Sequence, residues 1–155
     1  MTSQELEILI REIVVKAVGL KNKFTTEPNA PVNYACVFAQ NPEEYQDLIK
    51  AAASLGQTIK EMSNGLLFAL DGIETISGTL LLLKVRQPDP TKPERGDADF
   101  TVANFDAFKH AYLSKPGFKL IERPQLKMEM VELMQPGHNV RVYFSNPPLA
   151  EVLGL

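Results

Sequence analysis

The chain repeats one module, and this constrains its architecture more than any other feature. Val32-Asn33-Tyr34-Ala35-Cys36-Val37-Phe38-Ala39 leads into Asn41-Pro42-Glu43-Glu44-Tyr45, and Gly96-Asp97-Ala98-Asp99-Phe100-Thr101-Val102 leads into Asn104-Phe105-Asp106-Ala107-Phe108. A constant offset of 63 pairs Ala98 with Ala35, Phe100 with Val37, Asn104 with Asn41 and Phe108 with Tyr45. Each copy reads as a strand followed by a helix with an asparagine cap. A period of this size points to duplication of a supersecondary unit.

The rest of each copy completes the unit. In the first, Pro42 at the opening helical position and Glu43 and Glu44 in the first turn suit a helix start. The helix buries Tyr45, Leu48, Ile49, Ala52 and Leu55 and stops at Gly56. Strands are then predicted over 57–61, 66–70 and 79–86. In the second, a helix over 105–113 precedes strands at 118–123, 127–134 and 140–144. Leu55-Gly56-Gln57-Thr58-Ile59-Lys60-Glu61 is echoed by Pro116-Gly117-Phe118-Lys119-Leu120-Ile121-Glu122. The segment 88–96 holds three prolines and predicts an extended linker that tethers the modules. Ahead of them, Leu6, Leu9, Ile10, Ile13, Val14 and Ala17 form one apolar face, predicting a helix over 3–18 with Thr2 and Glu5 as a capping box and Gly19 as its stop. The expected organisation is one domain, 1–155, with module one at 32–88 and module two at 96–148.

At 155 residues and 45% hydrophobic, one well-buried core is expected. A net charge of −3 gives no general attraction to nucleic acid or to an anionic membrane, so neither is an expected partner. Charges at Glu5, Glu7, Arg11, Glu12 and Lys16 argue against a secretory signal. The single cysteine suits a reducing compartment, and a cytoplasmic location is expected.

Two tandem βαβββ modules, with Gln135-Pro136-Gly137-His138-Asn139 before the last strand, resemble the vicinal-oxygen-chelate superfamily of glyoxalase, bleomycin-resistance and extradiol-dioxygenase proteins, in which the last turn often reads like DPxGN. The resemblance implies an α+β fold in which a curved mixed sheet surrounds a cavity and the helices cover its outside. A ferredoxin-like or dimeric α+β barrel arrangement is the alternative. Under the resemblance, strand alternation turns Ala35, Val37, Ala39, Ala98, Phe100 and Val102 towards the helices. Tyr34, Cys36, Phe38, Asp97, Asp99 and Thr101 then face the cavity, giving one apolar and one acidic wall, and Arg141 joins them as a natural ion-pair partner for the aspartates.

The superfamily's metal ligands lie on its first and last strands. The matching positions here hold Tyr34, Asp97, Leu83 and Val142, or Leu82 and Arg141 after a shift of one residue, so no metal and no cofactor are expected. Cys36 reads as a small buried hydrophobe, His110 as an exposed helix residue and His138 as part of a surface loop. Met128, Met130 and Met134 read as a strand's core face, although methionines also line adaptable pockets. Lys84, Arg86, Lys92 and Arg95 read as a solvated face, with an anion site at the module junction as the other reading.

No catalytic residue is assigned. The favoured function is a metal-free module that binds a small organic ligand with a cationic or hydrogen-bond-donating end. One alternative is a metal-dependent lyase or oxygenase with an atypical acidic site at Asp97, Asp99, Glu129 or Glu132. The other is an interaction protein that oligomerises through its N-terminal helix and apolar strands. A homodimer is expected because modules of this type commonly pair their sheets.

Overall fold

The computed structural model describes residues 1–155. After helix α1 (Ser3–Phe24), module one runs β1 (Val32–Phe38), α2 (Pro42–Ala53), β2 (Gly56–Met62), β3 (Gly65–Thr75) and β4 (Gly78–Arg86). Module two repeats the order with β5 (Gly96–Phe100), α3 (Phe105–Tyr112), β6 (Phe118–Arg123), β7 (Met128–Leu133) and β8 (Val140–Asn146), and a short helix, α4 (Leu149–Val152), follows. The order is βαβββ twice. Four strands separate α2 from α3, where a ferredoxin-like chain has two.

All eight strands form one curved sheet in the order β2-β3-β4-β1-β5-β8-β7-β6. The two β1-type strands pair antiparallel at its centre, with Ala35 opposite Ala98. These are the residues that the 63-residue offset makes equivalent, so the pseudo-twofold axis of the duplication passes between them. The linker, expected to be extended, instead turns at Asp89–Lys92, where the Lys92 amide donates to the Asp89 carbonyl at 2.9 Å, and the modules are more than tethered, because their central strands share a ladder.

Strand alternation divides the sheet as expected. Ala35, Val37, Ala39, Ala98, Phe100 and Val102 join α1, α2 and α3 in one large apolar core. Phe108 of α3 packs on Phe144 with ring centroids 4.4 Å apart. Asn41 and Asn104 cap α2 and α3 by accepting the amides of Glu44 and Ala107 at 2.8 and 3.0 Å. Thr2 caps α1 by accepting the Glu5 amide at 3.0 Å.

Helix α1 runs past Gly19 to Phe24. Leu20 and Lys21 are fully buried and continue its inner face, so packing outweighs the local glycine signal. The helix ends at Thr25, whose amide and hydroxyl both donate to the Lys21 carbonyl, at 2.8 and 2.9 Å.

Gly96 lies where α1 and the two modules meet. A Cβ there would collide with the Cys36 carbonyl oxygen on β1 and stand 2.8 Å from Ile13 Cδ1 of α1. Gly96→Ala is therefore expected to cost on the order of 3 kcal/mol, read as a lower urea midpoint at unchanged slope. A shift below about 0.5 kcal/mol would show that the β1/β5 junction yields.

Candidate functional site

The face of the sheet opposite the helices carries the polar side chains of the four central strands. Register places Lys84 of β4 beside Cys36 of β1, Cys36 opposite Asp97 of β5, and Asp97 beside Arg141 of β8. One step along, Tyr34 lies opposite Asp99, and Asp99 beside Tyr143. Arg86 follows Lys84 on the same face and sits beside Phe38, with its guanidinium carbon 5.2 Å from the centre of the Phe38 ring.

These strands floor a cavity of about 460 Å³. Tyr34, Cys36, Asp97 and Tyr143 line its base, Met62, Leu126, Met128, Met130 and Leu149 its apolar side, and Lys84, Arg86, Lys92 and Arg123 its basic side. Helix α4 forms part of the wall by packing Leu149 on Leu67 and Leu82, with Val152 against the Met128, Met130 and Tyr143 cluster.

Of the seven residues expected in the cavity, Tyr34, Cys36 and Asp97 line it. Asp99 lies beneath the lining, fully buried, accepting Ser145 Oγ at 2.6 Å and Asn33 Nδ2 at 2.9 Å. Phe38 supports Arg86 from below, and Thr101 lies just beyond the end of β5. Arg141 is the clearest departure. It pairs with Glu94 at 2.6 Å and Glu132 at 3.4 Å, and Tyr143 donates to the same Glu132 oxygen at 2.6 Å. The linker's return brings Glu94 over β8 and occupies the arginine expected to meet the aspartates. Arg95 is also engaged elsewhere, forking onto Glu44 at 2.6 and 3.1 Å.

The wall expected to be acidic is predominantly basic. Five basic residues, Lys60, Lys84, Arg86, Lys92 and Arg123, line the cavity against two acidic ones, Glu61 and Asp97. Lys84, Arg86 and Lys92, expected as a solvated face or an anion site, are half-buried and line this open cavity. Met128 and Met130 also look into it, while Met134 is exposed. Tyr143 was open to discovery from the sequence, since it shares Arg141's face by alternation. Leu149 was not, because nothing local says that the C-terminal turn returns to the sheet.

Burial sets the chemistry of the base. It pushes Asp97 up to about 7, although Lys84, Arg86, Lys92 and Arg141 all pull the other way. It raises Asp99 to about 8 against the bonds from Ser145 and Asn33. Burial, and then the nearby Asp97, push the Cys36 thiol well up, so it remains a poor nucleophile. Burial lowers the ammonium groups of Lys84 and Lys92, and crowding with Arg86 adds to this.

No protein-family model matches the chain, and no curated protein matches it in sequence. Solved structures do match in shape. A structural-genomics protein described as Protein EC4020 superposes with a TM-score of 0.73 at 12% identity, covering 97% of this chain and 91% of that one. A glyoxalase/bleomycin resistance protein/dioxygenase superfamily member from Vibrio splendidus 12B01 superposes with a TM-score of 0.52 at 7% identity, covering 75% of this chain and 97% of that one. The chain has the vicinal-oxygen-chelate fold. At these identities the likeness is one of fold.

The vicinal-oxygen-chelate fold implies a metal centre, and the residues here do not fit one. Leu83 and Val142 stand opposite Ala35 and Ala98 in the two modules and point into the helix-side core. Of the neighbouring positions, Lys84 lines the cavity and Arg141 is held by Glu94 and Glu132, and both are cations. Glu129 bonds Lys109 at 2.7 Å and Glu132 belongs to the Arg141 cluster, so neither joins Asp97 and Asp99. No three His, Cys, Asp or Glu side chains come together in an arrangement that could hold a metal ion.

Proposed function

We propose that this vicinal-oxygen-chelate protein is a small-molecule-binding module whose ligand occupies the cavity between the central strands and α4. One observation carries the reading. Asp97 Oδ1 and Arg86 Nε are the only buried side-chain nitrogen or oxygen atoms in the chain without a hydrogen-bond partner, and both residues line this cavity. Buried polar atoms are almost always satisfied by protein, water or ligand, so an unmatched acceptor and donor beside one apolar wall support a polar group bound there. A cytoplasmic homodimer belongs to the same reading. No helix is long and apolar enough to cross a membrane.

Native mass spectrometry of gently purified protein tests it, reporting retained organic mass, metal and oligomeric state together. The expected result is a metal-free species carrying an organic adduct that is lost on denaturation. The neutral fluorophore N-phenyl-1-naphthylamine should also bind saturably at one site per chain. Leu126→Trp, at the half-buried edge of the apolar side, should weaken that binding at least tenfold while shifting the thermal midpoint little. Bare protein that also fails to bind the fluorophore would overturn the reading, and a stoichiometric metal lost in Asp97→Ala would favour the metal-dependent enzyme.

A further inference from the structure

The charges around the two unmatched atoms describe the ligand more closely. Arg86 is held from two sides, by the Phe38 ring and by Asp89, whose carboxylate is 3.7 Å from Nη2. This fixes the guanidinium while its buried Nε has no partner. Lys84 stands two residues back on the same strand face, and Lys92 of the linker lines the same side. Three half-buried cations thus line one cavity in a chain whose net charge is −3. No ion pair joins any of them to Asp97, although all three act on its carboxyl electrostatically. Asp97 is itself 94% buried, two strands from Lys84 across Cys36. Adjacent strands are about 4.8 Å apart, so roughly 10 Å of backbone separates the two sides, enough for a small bifunctional molecule.

Resting on the cavity being a ligand site, we infer that its ligand is a small organic anion bearing a hydroxyl or amine. The anionic group sits against Arg86, Lys84 and Lys92, the hydroxyl or amine donates to Asp97 Oδ1, and the apolar body lies on Leu126, Met128 and Met130. An anion relieves the crowding of three partly desolvated cations, and a charge-assisted bond from Arg86 Nε satisfies the buried donor. This departs from the cationic ligand that two cavity-facing aspartates suggest, because Asp99 is satisfied within the protein and Asp97 is outnumbered.

The two other sizeable clefts carry no comparable feature. One contains Lys109, already bonded to Glu129, and the other contains Arg141, already bonded to Glu94 and Glu132. Neither holds an unmatched buried donor or acceptor.

Two fluorophores that share an anilinonaphthalene skeleton test the charge. The anion 1-anilinonaphthalene-8-sulfonate should bind at least tenfold tighter than neutral N-phenyl-1-naphthylamine, with an advantage that shrinks as salt rises. Arg86→Gln should bring the two within threefold by weakening only the anion, and Lys92→Gln should move them in the same direction if the first variant folds poorly. Displacement of the sulfonate tests the donor. 3-Phenyllactate should compete at least fivefold better than 3-phenylpropanoate, and Asp97→Ala should equalise them. Equal binding of the two fluorophores would overturn the anion assignment and leave the cavity reading standing, whereas binding of neither would overturn both. Equal competition by the two acids in the unaltered protein would remove Asp97 from the assignment.

Discussion

Arg141→Ala is expected to destabilise the fold by about 3–5 kcal/mol, seen as a lower urea midpoint with little change in slope. The guanidinium is 8% exposed and lies between Glu94 from the linker and Glu132 from β7, at 2.6 and 3.4 Å. Burial works against its charge, but the bond to Glu94 and the groups around it outweigh that cost and hold its pKa above the ordinary arginine value. Removing it leaves two buried carboxylates, Glu94 and Glu132, without the guanidinium that pairs them. The loss is one of broken compensation, so a further substitution should recover it. The triple variant Arg141→Met, Glu94→Gln, Glu132→Gln is expected to regain most of the stability, because an apolar side chain and neutral amides no longer require a counter-charge. A loss below about 1 kcal/mol in Arg141→Ala would mean that water reaches and screens the cluster.

Asp97→Asn carries an expected effect of similar size and opposite sign. Burial raises Asp97 from its ordinary value near 3.8 to about 7, so between these values the folded protein holds a proton that the unfolded chain releases. Stability therefore falls as pH rises from about 4 to about 7, and above that window the penalty is fully present. The rise corresponds to roughly 4 kcal/mol. Asparagine has no proton to lose, so Asp97→Asn should be more stable than the unaltered protein by an amount of that order at pH 8, with the difference vanishing near pH 4. The slope that remains in the variant up to about pH 8 belongs to Asp99, which burial raises to about 8. Chemical denaturation at a series of pH values measures both. A difference that does not vary with pH would show that Asp97 is not buried as a charge. The same substitution changes the acceptor assigned to the ligand's donor, so stability gained here and affinity lost would mark a position kept for binding.

What could be read locally was read well. The order of elements along the chain, both asparagine caps and the two faces of each central strand follow from periodicity, capping and alternation, which depend on near neighbours in the chain, and the resemblance named one face as the cavity's. Under the resemblance, alternation put seven residues on the cavity side, of which Tyr34, Cys36 and Asp97 line the cavity. Local reading failed where two signals of equal local strength were resolved by something distant. Gly19 looked like a helix stop until Leu20 and Lys21 found a core to enter. Lys84, Arg86 and Lys92 read as a solvated face, with an anion site as the other reading, because nothing nearby in sequence says that α4 packs beside them to form a cavity wall.

The amino-acid sequence by itself determined that this chain is a duplicated βαβββ unit and which side of each central strand carries polar groups, because period, caps and breakers act within a few residues. Tertiary structure alone decided which charges meet. The β1/β5 pairing set Cys36 against Asp97, the return of the linker gave Arg141 to Glu94 instead of the aspartates, and curling of the sheet brought the unmatched Asp97 Oδ1 and Arg86 Nε to one cavity. Electrostatic partnership depends on distances of a few ångströms between residues tens of positions apart, and those distances exist only once the sheet has closed on itself.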